Sequence, residues 1–330
     1  MQTKLLGFSE SDLTLAGKLI RDGQLVAFPT ETVYGLGANA LDVAAVKSTY
    51  VAKGRPSDNP LIVHVWHASQ IYEIASYVSP VAQKVIECLM PGSVTIVLPK
   101  KPLVDDCITA GLPTVAIRMP KSQQARDFLR YCDVPVTAPS ANTSSRPSPT
   151  TWQRVQEDMD GKIAAILCGD NCQVGIESTV LDLTDEHPRI LRPGVVTADM
   201  LEAVLGCRVE TITDPTSKVN SPGVRYKHYA PCVSMVLDRS GDVDKLCAYY
   251  DKLVAEGHNP VLLCEHPECF ADRNTRDIGA TDDQVAQNLF ENLRLLERKY
   301  DFIVASYTSQ TEYAQSILNR LIRSCGHKVI

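Results

Sequence analysis

Leu61-Ile62-Val63-His64-Val65 and Val94-Thr95-Ile96-Val97-Leu98 are short β-rich runs that flank Pro80-Val81-Ala82-Gln83-Lys84-Val85-Ile86-Glu87-Cys88-Leu89-Met90. The middle stretch spaces its apolar residues three to four apart, the period of a helix face, and stops at Pro91-Gly92. Strand, helix and strand in that order predict α/β alternation. The rhythm extends outward through β-rich runs at 25–28, 115–118 and 164–168. Past residue 231 it resumes, with strands expected at 233–237, 261–264 and 302–305 and helices at 242–255, 282–298 and 312–324. That second series predicts a small three-layer α/β domain.

Between the two series the chain turns to Thr, Asp, Pro, Ser and Gly, ending in Asn220-Ser221-Pro222-Gly223-Val224-Arg225-Tyr226-Lys227-His228-Tyr229-Ala230-Pro231. Two basic and two aromatic residues in this stretch are unusual for a spacer, so it reads as a linker that touches a ligand. The expected organisation is a first domain over 1–206, a linker over 207–231 and a second domain over 232–330. A length of 330 residues fits about two domains at roughly 150 residues each.

Composition narrows the function classes. With 44% hydrophobic and 22% charged residues the chain can bury a core and is not disordered. A formal net charge of −6 lacks the overall basic field of a DNA coat, so any nucleic-acid contact must be local. No window approaches the roughly 20 apolar residues of a membrane helix, and Met1-Gln2-Thr3-Lys4 leads into no signal-peptide hydrophobic region. The expectation is a soluble cytoplasmic protein without membrane contact. The 11 cysteines, odd in number and scattered, read as mostly reduced core thiols. His258, Cys264, His266 and Cys269 fit no standard zinc spacing.

The phosphate loop G-x-x-x-x-G-K-[ST], the H-E-x-x-H zinc motif and the G-x-S-x-G nucleophile elbow are all missing, which removes ordinary ATPase, zinc protease and α/β-hydrolase readings. Gly35-Leu36-Gly37-Ala38-Asn39-Ala40 imitates a dinucleotide fingerprint. However, Pro29 to Tyr34 intervenes where the first glycine should follow the strand at once. The whole stretch reads better as a long polar turn, with hydroxyls from Thr30 and Thr32 and with Gly35 and Gly37 letting the backbone approach a ligand. Lys53-Gly54-Arg55-Pro56 places two cations two residues apart in a turn, suited to phosphate oxygens. Arg118 closes an apolar strand, where a guanidinium must find an anion or bear a desolvation penalty. His64 sits inside an apolar run and by itself reads as a satisfied core histidine. Ser140-Ala141-Asn142, with Ser148 beyond, forms a hydroxyl- and amide-rich loop after a short strand.

Taken in order, Pro29-Thr30-Glu31-Thr32-Val33-Tyr34-Gly35-Leu36-Gly37, Lys53-Gly54-Arg55-Pro56, Pro60-Leu61-Ile62-Val63-His64, Ser140-Ala141-Asn142, Glu177-Ser178-Thr179-Val180 and Leu191-Arg192-Pro193-Gly194 closely resemble the YrdC-like threonylcarbamoyl-AMP synthases. The stretch Ser221 to Pro231 looks like the linker of the longer, two-domain form. Beyond it the likeness rests on domain length and Asn319-Arg320-Leu321. The resemblance implies an open, twisted mixed α/β sheet around a deep cavity. It also implies condensation of L-threonine, bicarbonate or CO2, and ATP into threonylcarbamoyl-adenylate and pyrophosphate. The product would feed N6-threonylcarbamoyladenosine formation at position 37 of tRNAs reading ANN codons, and so link the chain to the tRNA threonylcarbamoyl-transfer machinery.

By motif position the resemblance gives Thr32, His64, Arg118 and Ser178 to threonine, with Arg118 partnering its carboxylate. It gives Arg55, Asn59, Thr114, Ser140, Ser148, Arg192 and Tyr229 to ATP, with Lys53 and Asn142 close to the phosphates and Lys53 and Arg55 assisting catalysis. Mg2+ would arrive on the ATP phosphates, with no metal held by the protein and no organic cofactor, and the segment from Tyr226 to Tyr229 would serve as a lid. Two positions depart from the family pattern. Ser93-Val94 stands where Pro-Leu is common and reads as core variation, and Ser145 stands where Gly is common and puts the backbone before Ser148 in question. Two other readings remain open: a double-stranded RNA or tRNA-binding module without synthase activity, and a carbamoyl-phosphate-using relative, for which the acylphosphatase and zinc-finger segments are missing.

Overall fold

The computed structural model of the protein describes residues 2–212, 228–270 and 272–330. Two compact units emerge. One contains the described residues of Met1–Ser144, Pro149–Gln173 and Glu177–Arg225; the other contains those of Ser145–Ser148, Val174–Ile176 and Tyr226–Ile330. Of the linker expected over 207–231, residues 213–227 lie outside the described residues, and with them Tyr226 and Lys227 of the expected lid.

The first unit carries strands β1 (Lys4–Leu6), β2 (Val26–Phe28), β3 (Gly35–Asn39), β4 (Ile62–His64), β5 (Val94–Pro99), β6 (Thr114–Arg118), β7 (Val136–Thr137), β8 (Ala165–Leu167), β9 (Thr179–Asp182), β10 (Arg189–Arg192) and β11 (Glu210–Thr211). Its helices are α1 (Glu10–Arg21), α2 (Val43–Lys53), α3 (Ser69–Ile74), α4 (Pro80–Leu89), α5 (Asp106–Thr109), α6 (Gln123–Cys132), α7 (Trp152–Met159) and α8 (Ala198–Leu205). The strands form one mixed sheet in the order β1-β8-β2-β3-β7-β4-β6-β5-β9-β10-β11. Parallel pairs such as β4 with β6 occur alongside antiparallel ones such as β5 with β6. The helix read between the two opening strands is α4. Ser79 caps it by accepting from Ala82 N, Pro80 opens it, and Ala82, Val85 and Ile86 are its buried face.

The stretch expected to be a polar turn is a turn only as far as Tyr34, because Gly35–Asn39 pairs with β2 and β7 as a strand. Its glycines make room for protein rather than ligand. A Cβ at Gly37 would stand 2.9 Å from Val26 O, and one at Gly35 would stand 3.1 Å from Ala138 Cβ.

The second unit holds β12 (Ser234–Asp238), α9 (Val243–Ala255), β13 (Pro260–Cys264), β14 (Thr275–Asp277), α10 (Asp282–Leu296), β15 (Phe302–Ser306) and α11 (Glu312–Ser324). Its parallel sheet has the order β12-β15-β13-β14. Val236, Leu262 and Val304 cluster with Leu246 and Leu253 of α9. The alternate residues Leu237, Leu263 and Ile303 are buried as well, so both faces of this sheet are covered, as expected of three layers.

All eleven cysteines are free thiols. Four are buried, while Cys88, Cys207, Cys232 and Cys269 are exposed, so the expectation of mostly core thiols fails. No group of three or more His, Cys, Asp or Glu among the described residues could hold a metal ion, and no helix among them is long and apolar enough to cross a membrane.

Candidate functional site

The first cluster grows from the end of β6. Strand register sets Arg118 beside His64 at the end of β4. Arg118 is 4% exposed, and three donors fix its guanidinium: Nε to Gly92 O at 3.4 Å, Nη1 to Thr32 Oγ1 at 2.8 Å and Nη2 to Glu31 Oε1 at 2.6 Å. A guanidinium has five N–H donors, so two remain for an acceptor outside the protein.

The hydroxyls beside it have assigned directions. Thr30 Oγ1 donates to Val33 O at 2.7 Å, so across its 2.9 Å contact with Thr32 it can only accept. Thr32 therefore donates to Thr30 and accepts from Arg118, in a polarised chain that leaves one lone pair on the Thr32 hydroxyl.

His64 is buried, and its Nδ1 faces Ile62 O at 3.3 Å. A carbonyl can only accept, which places the proton on Nδ1 and leaves Nε2 an acceptor. Burial, assisted by the charge of Arg118, pushes the imidazole pKa down to about 3, so the ring is neutral at any physiological pH.

Ser178, fully buried, sits just before β9. Its hydroxyl is 2.8 Å from Thr95 Oγ1 and accepts from Arg192 Nη2 at 3.2 Å. Arg192 also grips Ser178 O through Nε at 3.1 Å and Nη2 at 2.9 Å. Gly194 is required here, since a Cβ would stand 2.4 Å from Thr179 N.

The second cluster begins at the end of α2. Gly54 caps this helix in the left-handed conformation (φ 60°), its N–H and that of Arg55 returning to the last turn. Lys53 stays on the helix, 2% exposed, while Arg55 leaves it half-buried. Lys53 Nζ donates to Ser140 O and to Asn142 O at 2.7 Å, and Ser140 Oγ donates to Asn142 Oδ1 at 2.5 Å. Arg55 Nη2 reaches Asn59 O at 3.4 Å and Pro60 O at 3.3 Å. The Asn59 side chain is 1% exposed, yet neither Oδ1 nor Nδ2 has a hydrogen-bond partner among the described residues. A buried amide in that state is stable only if something else completes its bonding.

The two clusters meet along the backbone, where Ala141 N donates to Tyr34 O and Leu36 N to Pro139 O. Thr114 is set apart, opening the strand that Arg118 closes, about 13 Å away at 3.3 Å per residue. Ser148 and Tyr229 belong to the second unit, where both are buried and Tyr229 stacks on Phe290 at 5.1 Å.

Sequence reasoning missed three participants, Glu31, Ser93 and Thr95. The reading of Ser93 as core variation is corrected, because its hydroxyl donates to Glu31 at 3.2 Å. At Ser145 the backbone does keep the conformation that glycine favours, with φ 75° borne by a serine.

Residues 18–194 match the family described as "Telomere recombination", and residues 196–326 match the "Threonylcarbamoyl-AMP synthase, C-terminal domain". Over 336 residues the chain is 39% identical to the threonylcarbamoyl-AMP synthase of Bacillus subtilis, covering 99% of this chain and 97% of that one. It is 39% identical over 328 residues to the enzyme of Pyrococcus abyssi, covering 97% and 96%. The crystal structure of P. abyssi Sua5 complexed with L-threonine matches with a TM-score of 0.94 at 37% identity, over 100% of this chain and 99% of that one. Fold and matches together define a YrdC-like nucleotidyltransferase of the tRNA-processing class. The chain belongs to the threonylcarbamoyl-AMP synthase family, in its two-domain form.

Proposed function

We propose that the chain condenses L-threonine, bicarbonate or CO2, and ATP into threonylcarbamoyl-adenylate and pyrophosphate, supplying N6-threonylcarbamoyladenosine formation at position 37 of tRNAs that read ANN codons. The observation that carries this is the buried Arg118 guanidinium, held flat with two N–H donors to spare. That is a fork for one carboxylate. The relative from P. abyssi is described as binding L-threonine, and here the carboxylate would take Arg118. The free lone pair of Thr32, the bare Nε2 of His64 and the hydroxyl of Ser178 would accept from the substrate's amine and hydroxyl.

Threonine amine and bicarbonate or CO2 give a carbamate, whose oxygen attacks the α-phosphorus of ATP while pyrophosphate leaves. No covalent nucleophile is needed, and the work is orientation and neutralisation of developing charge. Lys53, Arg55 and Asn142 would meet the phosphates, and Asn59, Ser140 and Thr114 the rest of the nucleotide. The Asn59 amide would find its missing partners there. For Ser148, Arg192 and Tyr229 the nucleotide role rests on the resemblance; the geometry of Arg192 supports an action through Ser178. Mg2+ would be held by the nucleotide's own phosphates. When bound, it would neutralise phosphate charge.

The test is to incubate the protein with ATP, L-threonine and 13C-bicarbonate and analyse the nucleotides by mass spectrometry. An adenylate carrying threonine and one labelled carbon is expected, and AMP or ADP alone would refute the assignment.

A further inference from the structure

Glu31 lies within the Thr30-Glu31-Thr32 turn, 8% exposed, and its carboxylate accepts four hydrogen bonds, two at each oxygen. Oε1 takes Arg118 Nη2 at 2.6 Å and Ser93 Oγ at 3.2 Å. Oε2 takes the backbone N–H groups of Lys121 at 3.1 Å and Ser122 at 3.2 Å. A carboxylate offers about four acceptor positions, so Glu31 has little left for a substrate. Whatever it does, it does through the groups it holds.

Those groups converge on the amino-acid end of the site. Arg118 ends β6, Ser93 precedes β5, and Ser122 is the N-cap of α6, accepting from Ala125 N. Glu31 therefore ties a turn, two strand ends and a helix start to one charged group. Burial raises its pKa, but the Arg118 charge and the bonds it accepts outweigh that and leave it lowered overall, so the carboxylate stays ionised. An arginine side chain has four rotatable bonds, and a fork on a carboxylate works only if the plane of the guanidinium is set beforehand. Gly92 O, Thr32 Oγ1 and Glu31 Oε1 are the three points that set it.

We propose that Glu31 is a positioning residue that aims Arg118 at the substrate carboxylate, and that Ser93 fixes the Glu31 carboxylate in the orientation this needs. The inference rests on the reading of Arg118 as the carboxylate fork. Truncating Glu31 frees Nη2, lets the guanidinium turn toward other acceptors and leaves its charge buried without a counter-ion. Losing Ser93 removes one of four constraints and leaves the charge pair intact.

The experiment is a threonine titration of pyrophosphate release at saturating ATP, and an ATP titration at saturating threonine, for full-length wild type, Arg118→Gln, Glu31→Gln, Glu31→Asp and Ser93→Ala. The threonine KM should rise about tenfold or more in Glu31→Gln and about threefold in Ser93→Ala, with partial recovery in Glu31→Asp, while the ATP KM stays within about twofold. If Arg118→Gln leaves the threonine KM unchanged, the carboxylate fork itself is wrongly placed. If Arg118→Gln raises it but Glu31→Gln and Ser93→Ala do not, the positioning role alone is overturned. Equal rises in both KM values would mark a general structural role and also overturn it. Should Glu31→Gln fail to fold, Ser93→Ala decides, and an unchanged threonine KM contradicts the proposal.

Discussion

The Arg118 cluster and the Lys53–Asn59 loop both offer buried cationic groups, yet they are built in opposite ways. Around Arg118 the protein supplies a counter-ion at 2.6 Å, a hydroxyl chain with fixed proton directions and a neutral histidine. Around Lys53 the partners include the carbonyl oxygens of Ser140 and Asn142, and Asn59 in the loop that follows keeps both side-chain atoms unsatisfied among the described residues. The first arrangement suits a small ligand whose pose must be set by a rigid frame. The second suits a multiply charged ligand that completes bonds the protein leaves open.

Removing the cation from the open cluster should have the largest effect. Lys53→Ala or Arg55→Ala is expected to lower kcat/KM for ATP by about 10²- to 10⁴-fold, as measured by pyrophosphate release. A loss below about tenfold would put the phosphates elsewhere.

Acid probes the closed cluster. His64 has its folded pKa depressed to about 3 against an ordinary 6.5, so below pH 6.5 the unfolded state takes up the proton and the folded state does not. Stability should therefore fall as pH drops from 6.5 to 4.5, by roughly 2 to 3 kcal/mol from this group. His64→Gln should flatten that limb in urea titrations. Glu31 is also lowered, and its contribution, present above its ordinary pKa of 4.5, disappears only at lower pH as it protonates in the fold. An unaltered slope in His64→Gln would mean that the ring is not buried neutral.

Asn59 sharpens the contrast through effects of opposite sign. Asn59→Leu removes a buried amide that has no hydrogen-bond partner among the described residues, so it should leave stability unchanged or raise it by about 1 kcal/mol while weakening ATP binding by about tenfold. Urea melts and ATP titrations separate the two, and a loss of stability would show that the amide is already satisfied. The smallest effect belongs to Ser145, whose φ of 75° is strained for a residue with a Cβ. Ser145→Gly should stabilise by about 0.5 kcal/mol once the extra entropy of glycine in the unfolded chain is subtracted.

What the sequence made legible follows from where the information is local. The strands at Val94–Pro99 and Thr114–Arg118 are β-branched runs with sharp ends, and α4 carries its cap, its first-turn proline and its apolar face in one window. Arg118 stood out because a charge closing an apolar strand must be compensated. By contrast β3 begins Gly35-Leu36-Gly37, poor in strand-forming residues, and is a strand because it pairs with β2 and β7, with glycine where a Cβ would be crowded. Glu31 and Ser93 lie 62 positions apart and meet only in the fold, so no local pattern could pair them. Tertiary contact, not propensity, decides such residues.

The most direct measurement is pyrophosphate release from ATP by the full-length protein with Mg2+ and bicarbonate, with and without L-threonine, alongside Arg55→Ala. Release should require both threonine and bicarbonate and fall by orders of magnitude in the variant. Release indifferent to threonine, or equal in Arg55→Ala, would contradict it.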